Sequence, residues 1–407
     1  MKSNLKVLVF AVMAMFTASL AVTSCSDDDF GPSIFDTHDY PLDRSVYTFP
    51  LDTFCKKNFL EKYNMRYYYR LEDIMSDLQK NLIPADYEVS KKLAVLTKYL
   101  WYEVYEKQGG EEFMKLVSPR IILLTGSPSV NATSHTETLG TAEGGLKVYL
   151  YKVNSFNEND IDHLNKYFFH VMHHEFGHIL DQHHSRPQAF NLLSNGKYDI
   201  MSWGEVHDSL AAGKGFVTPY AGSQAADDWV ETLSCYIGND SLQWERLMAA
   251  AHYEWESIDL SNTDSITNLY RQGADIDSVG YIHVVSSSST TLVRKVIKRN
   301  ADGSAALDAN GKIVFDWPSG IHGDELILQK LDMVREWLKT YYDIDIDVMR
   351  RDLQTRTYVT DENGNFIVQN GHLVNRLVQP SDEDPSKTVM EKLLEQIDQY
   401  ESLMIKK

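Results

Sequence analysis

The sequence predicts an α+β fold: a small sheet, a histidine-rich helix directly after it, and a mainly helical C-terminal lobe carrying hairpin insertions. Three observations lead there. Two short apolar runs, 119–125 and 145–153, read as strands on either side of a Ser/Thr/Gly-rich loop at 127–144. From about Ile161 to Gln182 apolar residues recur at helical spacing behind Asn159-Asp160, which can cap a helix. Toward the C-terminus, helical patterns at 324–341 and from Pro385 onward alternate with Asn310-Gly311, Asn363-Gly364 and Asn370-Gly371, the dipeptides that favour tight hairpins.

The N-terminus has its own logic. Lys2 and Lys6 precede an unbroken apolar run, Val7–Phe16, too short to span a bilayer comfortably. Residues 1–24 therefore read as a signal peptide. It ends Val22-Thr23-Ser24-Cys25, which resembles a bacterial lipobox, so Cys25 is the expected lipidation site. The acidic run Ser26-Asp27-Asp28-Asp29 resembles the export signal of surface-facing lipoproteins. Residues 25–45 would be a tether, and the protein an outer-membrane lipoprotein held by its acyl chains alone. Residues 46–280 and 281–407 are expected to be a catalytic domain and the helical lobe.

The chain has 407 residues, 43% of them hydrophobic, enough for a substantial core. Its net charge is -19, a surface that repels phosphate backbones and argues against nucleic-acid partners. Setting Cys25 aside, Cys55 and Cys235 lie in apolar surroundings and read as buried free thiols. Residues 56–108 carry helical spacing, clearest from Lys91 to Tyr105. Ser223 is placed to cap a second helix over about 224–237.

Seven of the fourteen histidines fall between His163 and His184. Among them His174-Glu175-Phe176-Gly177-His178 puts two imidazoles four residues apart on one helix face, the arrangement that holds Zn2+. Glu175, beside the first of them, is placed to take a proton from water rather than bind the metal. A catalytic zinc needs a third protein ligand. His184 follows His178 at the metzincin interval, and Met201 resembles that clan's methionine turn. Yet Asp181 stands where that pattern needs glycine. If the helix runs on, His184 lies about 120° off the ligand face and about 9 Å along the axis. The second helix offers Asp227 and Glu231, again four apart: one carboxylate for the metal, the other for the far nitrogen of a histidine ligand.

The segments His174-Glu-Phe-Gly-His-Ile-Leu-Asp181, Gly215-Phe-Val-Thr-Pro-Tyr220 and Asp227-Asp-Trp-Val-Glu231 resemble the substrate-import-associated zinc metallohydrolase lipoproteins. These are metallopeptidases found with outer-membrane nutrient import systems, and the core is similar to the lethal-factor type of gluzincin. The resemblance implies a zincin-like core, one catalytic zinc ion, a peptide or protein substrate and association with an import complex. It implies that Tyr220 stabilises the oxyanion, that Asp227 is the third ligand and that Glu231 supports a histidine. Asp stands at 227 where the pattern has Glu, so the third ligand stays open between Asp227 and Glu231. Strand 145–153 is expected to bind extended peptide by strand addition. The alternative is an accessory lipoprotein that keeps the fold without the activity.

Overall fold

The structure, a computed structural model, describes residues 47–71, 82–130, 137–138, 140–143, 147–259, 280–286 and 289–403. The signal peptide, Cys25 and the tether lie outside the described residues, as do 72–81 of the N-terminal helical expectation. No helix among the described residues is long and apolar enough to cross a membrane.

The chain from Phe49 enters α1 (residues 49–63), crosses strand β1 (Arg66–Tyr68) and later forms α2 (residues 87–117). The helical expectation over 56–108 thus fails at β1. There Met65, Tyr67 and Tyr69 are buried at every second position, a strand period inside a helical neighbourhood. β1 is drawn into the sheet by parallel pairing with β2 (Ile121–Leu124), Tyr67 opposite Ile122.

The Ser/Thr/Gly-rich stretch is not all loop. It holds β3 (Ser129–Val130), β4 (Glu137–Thr138) and β5 (Gly140–Glu143) before β6 (Lys147–Leu150). The main sheet runs β1-β2-β6-β5, parallel except for the antiparallel β5–β6 pair. β6 is consequently interior, with Ile122 opposite Val148 on one side and Thr141 opposite Tyr149 on the other. It has no free edge for a peptide, and the expected strand addition at 145–153 is corrected on that ground. β5 is the strand at that rim of the sheet.

From the sheet the chain enters α3 (residues 161–183), where the Asp160 carboxylate accepts the His163 N–H as cap. Short helices α4 (Gln188–Leu193) and α5 (Asp208–Gly213) lead to α6 (Ala225–Gly238) and α7 (Ser241–Ala251). Ser223 does not cap α6. Gln224 holds the cap position, and the Ser223 hydroxyl goes to a carboxylate described below.

Strands β7 (Trp255–Asp259), β8 (Gly280–Ser286) and β9 (Ser289–Lys295) form a separate antiparallel sheet, followed by α8 (Gly323–Tyr342) and α9 (Ile346–Thr357). The hairpin chemistry holds: Leu307 bridges Ile313 around Asn310-Gly311, and Thr360 bridges Phe366 around Asn363-Gly364. Asn370 and Gly371 both adopt positive φ, 52° and 80°, between β10 (Val368–Gln369) and β11 (His372–Leu373), as a type I′ turn demands. The last helix, α10 (Val389–Asp398), starts later than Pro385 because Thr388 and Glu391 form a capping box.

The described residues from Phe49 to Leu403 pack as one unit. Its main core runs from Leu51 and Phe54 through Trp101, Phe176 and Trp229 to Trp337, Met349 and Ile397. Cys55 is a buried free thiol in it, and Cys235 is one in a smaller cluster with Ala211, Phe216 and Ile327, as expected.

α6 and α8 are joined by a fully buried ion pair, Lys330 Nζ to Asp228 at 2.6 Å. Lys330 also donates to the Gly215 carbonyl at 2.7 Å, and Tyr198 donates to Asp228 at 2.9 Å. Taking one partner from such a pair leaves a charge stranded in the interior. Lys330→Met is expected to lower unfolding free energy by about 3–5 kcal/mol in urea titrations. A loss below about 1 kcal/mol would show that the pair is not a structural tie.

Candidate metal centre

α3 and α6 pack face to face. His170, His174 and His178 stand at successive four-residue steps along α3, and Asp227 and Glu231 at one such step along α6. Buried side chains meet across this contact: His174 and Glu175 from one helix, Asp227 and Glu231 from the other.

Glu231 is a hydrogen-bond hub. Its Oε1 accepts from His174 Nδ1 at 2.7 Å and His170 Nε2 at 2.8 Å, and its Oε2 accepts from Thr218 Oγ1 at 2.5 Å. An ionised carboxylate only accepts, so each of those ring nitrogens carries the hydrogen. The other nitrogen of His174, Nε2, is then left with its lone pair for a metal. Burial works against a charge on Glu231, but His170 and His174 hold it well below the ordinary carboxylate range. Burial likewise opposes the His170 cation, yet the Glu231 carboxylate raises its pKa well above the usual value.

Asp227 borders the next histidine along α3, His178. Its Oδ1 is 3.4 Å from His178 Nε2, and its Oδ2 accepts from Ser223 Oγ at 2.6 Å and Gln224 Nε2 at 3.0 Å. Burial opposes its charge, while hydrogen bonding from His178, Ser223 and Gln224 keeps its pKa lowered.

Two groups among the described residues bring ligand-type atoms within 4.8 Å of one another: His174, His178 and Asp227, and His170, His174 and Glu231. They are not equivalent. In the second, three donors already occupy the carboxylate. The first fits zinc: two ligands each about 2.0–2.1 Å from a tetrahedral ion stand about 3.3 Å apart, close to the His178–Asp227 separation. It also has the two-nitrogen, one-oxygen donor set of catalytic zinc sites, with a carboxylate behind the first histidine.

Tyr220 stands over this group on a short turn, Tyr220–Gly222, its ring centroid 5.6 Å from that of His174. Burial first, then the charges of Asp227, Glu231 and Glu175, push its pKa up, so the phenol keeps its proton and can donate. Trp203 meets the other side of the Tyr220 ring edge-on at 4.8 Å.

The metzincin alternative separates cleanly. His184 leaves the helix in extended conformation and stacks on Tyr341 at 4.6 Å and 17°, among α8 side chains. Met201 is 89% exposed and cannot underlie a metal. His170, Thr218, Ser223 and Gln224 were not singled out in the sequence as parts of the centre. For His170 a signal existed, the same four-residue step that marks His174 and His178. His184→Ala is expected to leave the zinc content of purified protein unchanged by metal analysis; loss of the ion would contradict this geometry.

A crystal structure of a "putative zinc-binding metallo-peptidase" from Bacteroides caccae is similar over 76% of this chain and 92% of its own, at 28% identity and a TM-score of 0.53. No curated protein matches the chain. Residues 45–347 match a family model described as "Putative zinc-binding metallo-peptidase". Carrying that match over most of its length, the chain belongs to the zinc-binding metallopeptidase family.

Proposed function

We propose that the protein hydrolyses peptide bonds at a single zinc ion held by His174, His178 and Asp227. The observation that carries this reading is the division between the two α6 carboxylates: Asp227 borders His178 Nε2, while Glu231 takes His174 Nδ1. When bound, zinc supplies Lewis-acid chemistry, polarising the scissile carbonyl and acidifying water.

The remaining work belongs to the chain. Glu231 fixes the His174 tautomer and ring orientation. The Glu175 carboxylate takes a proton from the attacking water and passes it to the departing amine nitrogen. The protonated Tyr220 hydroxyl donates to the developing oxyanion. Extended substrate lies along the rim strand β5, which touches α3 and, among the described strands of the main sheet, pairs on one side alone. Lipid on Cys25 holds the domain at the outer membrane, surface-exposed and beside a nutrient import complex whose cargo it trims.

Glu175→Gln is expected to keep zinc and lower kcat by about 10^2–10^4-fold. A peptide-library digest beside metal analysis checks this, and undiminished cleavage would sink the mechanism. The ligand assignment has its own ordering. Asp227→Ala should abolish stoichiometric zinc, whereas Glu231→Gln should weaken binding by about 10–100-fold. The reverse order, read by chelator competition, would exchange the two roles.

A further inference from the structure

The turn that carries Tyr220 touches both carboxylates of the centre. Thr218 donates to Glu231 Oε2 at its start, and Ser223 and Gln224 donate to Asp227 Oδ2 at its end. Thr218 differs from the others in that one side-chain group makes both of its bonds. Its Oγ1 donates to Glu231 at 2.5 Å and also accepts the Ala221 N–H at 3.1 Å. One hydroxyl thus joins the backbone of the Tyr220 turn to the carboxylate that orients His174.

We propose that Thr218 is a positioning residue that registers the Tyr220 turn against the metal ligand His174, acting through Glu231. The inference rests on the zinc-site reading above. Glu231 is held at one oxygen by two rings of α3, and only Thr218 among its named partners holds the other. Without that donor the carboxylate can rotate about its last side-chain torsion, and the Nδ1 bond that sets the His174 ring loosens. The same loss frees the Ala221 N–H beside Tyr220, so the oxyanion donor and the metal ligand lose register together.

A plain turn role makes a different demand. Closing the 218–221 turn needs only an acceptor for the Ala221 N–H. Registering the metal ligand needs an acceptor and a donor in one group, which threonine and serine supply and valine does not.

The test uses the purified chain as wild type, Thr218→Val and Thr218→Ser. Zinc affinity is read by competition with a chromophoric chelator, and thermal unfolding of the metal-free protein reports the fold. Thr218→Val is expected to weaken zinc binding by about tenfold, the lower end for groups that orient metal ligands. It should also lower kcat with little change in KM, while Thr218→Ser stays within about twofold of wild type for both. Unchanged zinc affinity in Thr218→Val, or equal losses in the two variants, overturns the proposal. If Thr218→Val does not fold, Thr218→Ala takes its place with the same expectations. Zinc affinity needs no substrate, so a chain that binds zinc but cleaves no peptide refutes the peptidase reading while leaving this inference open to the affinity result. A wild type that binds no zinc refutes both.

Discussion

α3 and α6 come together at Gly177 and Val230. A Cβ built on Gly177 would lie 3.0 Å from Val230 Cγ1 and 3.1 Å from its Cβ, so the contact depends on the missing side chain. The positions of the four ligand-type residues follow from this approach. His174 and His178 stand three before and one after Gly177, and Asp227 and Glu231 stand three before and one after Val230. Each helix therefore presents its i, i+4 pair on the contact face. Because His174 meets Glu231 and His178 meets Asp227, the two helices run antiparallel across the contact. One glycine thus sets the depth of the centre, and helix periodicity sets the rest.

In the proposed reading, this spacing also explains how an aspartate can serve where the resembling pattern has glutamate. A side chain shorter by one methylene reaches less far, but the helices meet at a glycine, and Asp227 Oδ1 comes within 3.4 Å of His178. Its second oxygen is held by Ser223 and Gln224 from the preceding turn. The longer arm of Glu231 is used where reach is needed, across to two imidazoles and out to Thr218.

What was legible in the sequence is what local spacing encodes. The metal helix, its Asp160 cap, the second helix and the Asn-Gly turns all follow from neighbours a few positions apart. β1 was missed because its pairing partner lies some fifty residues on, and three aromatic residues in alternation are a weak signal between strong helical ones. The short strands within 129–143 were hidden because Ser, Thr and Gly favour loops by composition, and only pairing with β6 or with one another makes them strands. Spacing could pair Asp227 and Glu231 with the metal helix but not order them; the family resemblance implied an order, which the Asp at 227 left open. That order depends on which carboxylate faces His178, a tertiary fact. Thr218 lies in the segment that carries the resemblance, but its role had no signal, since it arises only where the turn meets α6.

Electrostatics adds a further constraint. Asp227, Asp228 and Glu231 are buried on one helix, where uncompensated carboxylates are costly. Asp227 and Asp228 gain from the N-terminal end of α6, but that benefit is modest and confined to the first turn. Asp228 is balanced by Lys330, and Glu231 by the raised basicity of His170. Asp227 takes neutral hydroxyl and amide donors on one oxygen and meets an imidazole at the other. Such donors stabilise a carboxylate without neutralising it. In the proposed reading the balancing charge is the zinc ion, and the acidic helix is locally matched at all three positions. The same chemistry explains why the ordering of the two carboxylates matters. The one already paired with cationic His170 is the poorer metal ligand, and the one whose second oxygen is held by hydroxyl and amide donors is the better.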